Sequence, residues 1–246
     1  MKFYLIRSRA ARWFGVVVAT GLFSYCTVFA QVGETGDLSG RVNITQPIRE
    51  NSQIGSQEII RLYSFSYGGY DATSSNRVAE TPRVVIYLES PKNAHGLKIS
   101  KKWKNAPKFV TIDQKNEQFI PHILPIRVGT VVRFLNSDSV YHNVFSLSPV
   151  KSFDLGKYPR GQYRSVKFDK PGVVNVYCDI HTHMSAYILV LDTPYFTQID
   201  STGHFKMEQI PAGEYRLVAW YGRWPKKSQP IKIIAGKELK VNITFP

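Results

Sequence analysis

The chain has 246 residues, 43% of them hydrophobic and 20% charged, with a formal charge of +14. That length holds two β-domains of about 100 residues each, or one large domain. The basic charge is spread along the chain without a recognisable nucleic-acid-binding motif, which argues against nucleic acid as a partner. Heptads and strong helix-period stretches are missing beyond the N-terminal segment, so a coiled coil or helical bundle is excluded.

Lys2, Arg7, Arg9 and Arg12 precede an apolar run, 14–30, that ends Val28-Phe29-Ala30. A basic n-region, an apolar h-region and small residues before a cut describe a secretory signal peptide, cleaved near Ala30 or Gln31. The other reading is an uncleaved anchor, because the run is only slightly shorter than a spanning helix of about 20 residues. Tyr25 directly before Cys26 argues against a lipoprotein cut. Cleavage removes Cys26 and four positive charges, which leaves +10 and Cys178 as the single cysteine. An exported chain with one cysteine holds no internal disulfide, so its thiol is buried, intermolecular or a ligand.

Residues 31–37 read as a loose leader and 38–44 as a first strand. Residues 45–82, rich in Ser, Gln, Asn, Arg and Gly, read as a long irregular excursion with a short strand at 58–65. The run 83–89 (Arg-Val-Val-Ile-Tyr-Leu-Glu) is a strand ended by Pro91. A lysine-bearing linker at 91–106 follows, densest in Lys101, Lys102 and Lys104, and reads as a solvated loop or a contact for an acidic partner. Further strands are expected at 108–113, 123–128, 130–135, 142–147, 164–168, 173–177 and 187–191. Seven or eight strands at such spacing predict a Greek-key sandwich. Asp169-Lys170-Pro171-Gly172 is the turn that launches the strand 173–177. Beyond Asp192, strands are expected at 204–207, 214–220 and 240–245. The fold class is all-β.

Cys178, His181 and Met184 follow one of these strands as Cys-x2-His-x2-Met. A thiol, an imidazole and a thioether suit a soft, redox-active metal better than magnesium or calcium. A trigonal Cys/His2 site with a weak axial sulfur needs one more imidazole, and His142 begins an upstream strand. Against this stands a plain reading of Cys178 as a buried thiol, His181 and His183 as solvated and Met184 as a core plug. A zinc Cys/His2 site is a further reading, although it leaves Met184 without a role.

Asn136, Asp138, His142-Asn143, Phe168, Pro171-Gly172, Cys178, His181 and Met184 stand in an order that resembles the cupredoxins, over about 109–191. The close Cys–His–Met spacing is most similar to the amicyanin type within the plastocyanin-like group. This resemblance implies one type 1 copper ion held by His142, Cys178 and His181, with Met184 axial. It also implies that Asn143 stiffens the site by bonding across to the cysteine loop. His183, between two implied ligands, is expected to be exposed, or an alternate to Met184 in a minor form. His95, His122 and His204 lack partner spacing and are expected to be surface or core residues.

Gly203-His204-Phe205, Ile210-Pro211-Ala212-Gly213, Tyr215 and Trp220 resemble the transthyretin-like sandwich of carboxypeptidase regulatory domains. That family opens with strands matching Gly40-Arg41-Val42 and 84–88, so the resemblance implies a discontinuous sandwich with the cupredoxin inserted. The expected organisation is a signal peptide at 1–30, early strands of the second sandwich with a long loop at 37–90, and a basic linker at 91–106. The copper domain follows at 107–192, and the rest of the second sandwich at 193–246. The whole chain is also similar to exported bacterial proteins called methylamine utilisation or plastocyanin-like proteins.

What the resemblance implies is a periplasmic electron carrier, not an enzyme, because four protein donors leave no open metal position. Its partner would be a redox protein of acidic surface, a cytochrome or dehydrogenase type, and it would meet a membrane only if the N-terminal segment is retained. Two other classes stay open. One is a cell-envelope carbohydrate-binding or adhesion module, for which Trp220, Tyr221 and Trp224 are the candidate stacking surface, against rim packing. The other is copper delivery.

Overall fold

In the computed structural model, residues 35–45, 84–90, 109–222 and 224–245 are described. They lie within one compact unit, Gly33–Pro246. The expected signal segment, the excursion at 45–82 with its strand at 58–65, and the basic linker fall outside the described residues, apart from Thr45.

The described chain is all-β. Its strands are β1 (Thr35–Ile44), β2 (Val85–Glu89), β3 (Phe109–Lys115), β4 (Gln118–Ile120), β5 (Ile123–Arg127), β6 (Val131–Asn136), β7 (His142–Ser148) and β8 (Lys151–Tyr158). They continue as β9 (Tyr163–Lys167), β10 (Gly172–Tyr177), β11 (Ser185–Leu191), β12 (Phe196–Gln198), β13 (His204–Pro211), β14 (Gly213–Trp220), β15 (Lys227–Ile233) and β16 (Glu238–Phe245). Four sheets result, ordered β13-β1-β16, β12-β2-β14-β15, β5-β11-β10-β7-β8 and β4-β3-β6-β9.

Alternation along the strands assigns each face. On β10 and β11, Val174, Val176, Ala186, Ile188 and Val190 point toward Ile112, Phe134 and Phe168 from the β4-β3-β6-β9 sheet side. These two sheets enclose the central core, with Cys178 and Met184 at its edge. A second core lies between the β13-β1-β16 and β12-β2-β14-β15 sheets, where Leu38, Val42, Phe205 and Met207 meet Ile86, Leu88, Leu217 and Ala219. Gly40 is required there, since a Cβ would collide with the Val241 carbonyl oxygen and the Phe205 ring. The hydroxyl of Tyr215 donates to the Pro211 carbonyl at 2.8 Å, a tyrosine corner that fixes the turn between β13 and β14.

A third apolar layer joins the two sandwiches. Val85, Tyr87, Val218 and Trp220 pack against Ile123, Leu189 and Leu191. The β12-β2-β14-β15 sheet therefore has apolar neighbours on both faces, as does β11. This is why 84–88 and 186–191 are continuous apolar runs rather than alternating ones. Each such side chain contributes about 1.5–3 kcal/mol when fully buried, so the layer is comparable in kind to a domain core. The early strands β1 and β2 pair with β13, β16, β12 and β14, all late in the chain, while β3–β11 form the other two sheets.

Candidate metal centre

One end of the central sandwich gathers the donors. β7 opens with His142, whose backbone pairs with Tyr158 of β8. β10 and β11 are joined through Tyr177 and Ser185, and the intervening loop presents Cys178, His181 and Met184. That loop is closed by the Met184 N–H donating to the His181 carbonyl at 2.9 Å.

Nδ1 of His142 and Nδ1 of His181 are 3.0 Å apart. The Cys178 Sγ lies 3.9 Å from the first and 3.8 Å from the second. Among the described residues these three form the one group of histidine, cysteine and acidic side chains arranged to share an ion. A trigonal ion with bonds of about 2.0 Å to nitrogen and about 2.3 Å to sulfur sets N and S about 3.7 Å apart. The sulfur contacts fit that span. The nitrogens are closer and need a narrower angle of about 97° at the same bond lengths. His142 and Cys178 are buried and His181 is partly buried. Met184 is 2% exposed and packs in the same core as Cys178.

The electrostatics favour bare donors. His142 donates from Nε2 to Asp138 Oδ2 at 2.9 Å, and a neutral ring with its proton there keeps a lone pair on Nδ1. Asp138 is fixed in turn by the backbone N–H groups of Asn116 and Glu117, at 2.6 and 2.8 Å. Burial works to raise the Asp138 carboxyl, but the Glu117 N–H, the His142 ring and the Asn116 N–H outweigh it and hold the group below its usual range. Burial lowers His181, with the neighbouring rings of His142 and His183 adding to the effect and Glu117 opposing it. Burial pushes the Cys178 thiol up, against backbone hydrogen bonds from His181, Asn143 and Ile180. Those bonds stabilise a thiolate once a cation displaces the proton.

Asn143 reaches the Cys178 sulfur through its backbone N–H, while its side-chain Nδ2 donates to Asp154 Oδ1 on β8 at 2.9 Å. The buried Oδ1 of Asn143 has no hydrogen-bond partner among the described residues. Because β8 is a polar edge strand, the sequence reading passed over it and with it the Asn143 acceptor. His183 is 53% exposed and faces Glu117 at 3.3 Å, outside the group of three. His122 stacks edge-on against Tyr187, with ring centroids 5.5 Å apart, and His204 is exposed at the start of β13; His95 lies outside the described residues. The aromatics weighed as a stacking surface are packed instead. Trp220 is 3% exposed against Tyr187, and Tyr221 and Trp224 cover the second core. Sequence reasoning missed Asp138 as an anchor, although its spacing of four residues before His142 was a usable signal.

A family model described as polysaccharide lyase family 4, domain II, matches residues 180–241, from the cysteine loop into β16. This is a different family from the transthyretin-like one suggested by the sequence. No curated protein matches the chain. Among solved structures, a reduced amicyanin variant is 21% identical over 35% of this chain and 85% of its own, with a TM-score of 0.33. A Cu(I) amicyanin variant is 20% identical over the same shares, also at 0.33. A copper-containing nitrite reductase from Thermus scotoductus SA-01 is 28% identical over 35% of this chain and 23% of its own, at 0.34.

Proposed function

We propose that the protein binds one copper ion through His142, Cys178 and His181, with Met184 as axial donor, and carries single electrons. The observation that carries this reading is the convergence of two imidazole nitrogens and one thiol within 3.9 Å at the edge of a packed core. A thiolate with two imidazoles and a weak thioether is the donor set of a blue-copper electron-transfer site, and the bound ion would supply the one-electron couple. The chain's own residues supply rigidity. Asp138 holds the His142 ring, β10 and β11 hold both ends of the ligand loop, and the central core excludes water behind Cys178 and Met184.

Val140, Tyr141 and Ile180 are 40%, 57% and 37% exposed and adjoin the ligand-bearing segments. Such a rim suits the small, short-lived interface of a redox encounter. On this reading the β3–β11 sheets form the copper domain, and the strands flanking it in sequence form an auxiliary sandwich. The N-terminal segment directs export to the periplasm. With four protein donors no position is left for a substrate, so the role is carriage and not catalysis.

Metal analysis together with protein-film voltammetry tests the proposal. It predicts one copper per chain and a reversible one-electron wave. Copper bound only as Cu(I), with no reversible couple, would indicate delivery instead. A stoichiometric zinc protein that refuses copper would refute the reading.

A further inference from the structure

The β13-β1-β16 sheet turns one face to the second core and the other to solvent. On the solvent side an open groove of about 850 Å³ runs across all three strands to the β12–β13 turn. Strand register sets its chemistry. Ser39 lies opposite Lys206 on one neighbour and Lys240 on the other, and Arg41 lies opposite His204 and Asn242. These rows are about 7 Å apart along the strands and about 4.8 Å apart across them. Gln198 at the end of β12 borders the lining, its side-chain amide donating to the Ile123 carbonyl at 3.3 Å.

The one carboxylate in the lining, Asp200, is already committed. Its Oδ1 accepts from the Thr202 N–H at 2.8 Å, the Thr202 hydroxyl at 2.6 Å and the His204 N–H at 2.9 Å. The Thr202 hydroxyl, donating to Asp200, also meets His204 Nδ1 at 2.7 Å. Asp37 and Glu238 pair one row further along β1 and β16, and with Glu208 on β13 they act on the Lys206 ammonium. Glu208 reaches Lys206 at 2.7 Å and Glu238 reaches Lys240 at 3.8 Å, between groups 40% or more exposed. Exposed pairs of this kind hold weakly in water and yield to an anion that offers several charges at once.

We propose that this groove binds an acidic polysaccharide, with Arg41, Lys206 and Lys240 taking carboxylates and Ser39 and Asn242 taking hydroxyls. Three cations spaced over a flat sheet match a repeating polyanion, and the interleaved amide and hydroxyl groups match a ligand rich in hydroxyls. A membrane surface fits less well, because none of the exposed large apolar side chains among the described residues lines the groove. Single-stranded nucleic acid fits less well too, since the one aromatic residue in the lining, Phe205, is buried and offers no stacking face. The groove belongs to the outer sheet of the flanking sandwich, and the proposal does not depend on what the metal centre binds.

Calorimetry of the purified full chain with an alginate oligosaccharide, and with a neutral dextran of the same length, tests it. The alginate oligomer binds, the dextran does not, and raising the salt from about 0.05 to 0.5 M weakens the affinity by about tenfold or more, since exposed charges are screened. The double variant Arg41→Gln, Lys240→Gln loses about tenfold or more with an unchanged near-ultraviolet circular dichroism spectrum, each exposed charge contact adding a modest share. Equal binding of dextran, a salt-independent affinity, or full affinity in a folded double variant would overturn the proposal. So would capture by phosphatidylglycerol vesicles without any alginate binding. The dextran and salt arms use the unmodified protein and decide the matter even if the double variant fails to fold.

Discussion

Asp138 joins the His142 ring, four residues on, to the backbone N–H groups of Asn116 and Glu117 at the β3–β4 turn, more than 20 residues earlier in the chain. Both turn residues have φ of 53°, so the hairpin tip is a tight left-handed turn that presents two donors side by side. Removing such an outer partner of a ligating histidine costs about 10–100-fold in metal affinity. Asp138→Ala is therefore expected to weaken copper binding by that order, measured by competition with a Cu(I) chelator, while the backbone circular dichroism stays native. Tyr215 gives a second prediction. Burial, with the neighbouring Tyr195, pushes its phenol up to about 12, above the value of 10.0 in an unfolded chain. A group with a raised folded value stabilises fully below the unfolded value and ceases to do so as pH rises through the folded one. Urea midpoints should thus fall between about pH 10 and 12. Tyr215→Phe should show a shallower fall in that window, and about 1 kcal/mol less stability at pH 7 from the lost bond to Pro211.

At the scale of elements, the apolar layer between the sandwiches is the feature with most consequence. Leu189 is 3% exposed and faces Val85, Tyr87, Val218 and Trp220 rather than the central core. Leu189→Ala should cost about 2–5 kcal/mol, the range for a buried leucine whose site cannot fully collapse. Calorimetry should show one heat-absorption peak splitting into two as the sandwiches uncouple. Much of the architecture was legible in advance. Twelve expected strands coincide with β1, β2, β3, β5, β6, β7, β9, β10, β11, β13, β14 and β16, because each carries β-branched or aromatic runs bounded by turn residues. β8 and β15 were not legible, since Lys151-Ser-Phe-Asp-Leu-Gly-Lys-Tyr and Lys227-Ser-Gln-Pro-Ile-Lys-Ile are edge strands full of charge, glycine or proline. The layer was not legible either. Period-2 reasoning assigns one buried face to a strand, and the continuous runs 84–88 and 186–191 were not read as evidence of two.

For the molecule as a whole, the same stack of sheets holds both candidate sites. The donor group sits where β7, β10 and β11 end, and the basic groove lies on the outer face of the β13-β1-β16 sheet. The grouping of His142, Cys178 and His181 was legible in the sequence because Cys178 and His181 share one loop and His142 opens a recognisable strand. The groove could not, because Arg41, Lys206 and Lys240 come together only through the pairing of β1 with two strands from the far end of the chain. The most direct test of the central claim is the visible absorption spectrum of the copper-loaded protein beside that of Cys178→Ala. An intense thiolate-to-Cu(II) charge-transfer band in the unmodified protein, abolished by the substitution, is the predicted result. A copper-loaded protein that lacks the band, or a band that persists without the Cys178 sulfur, would contradict the account.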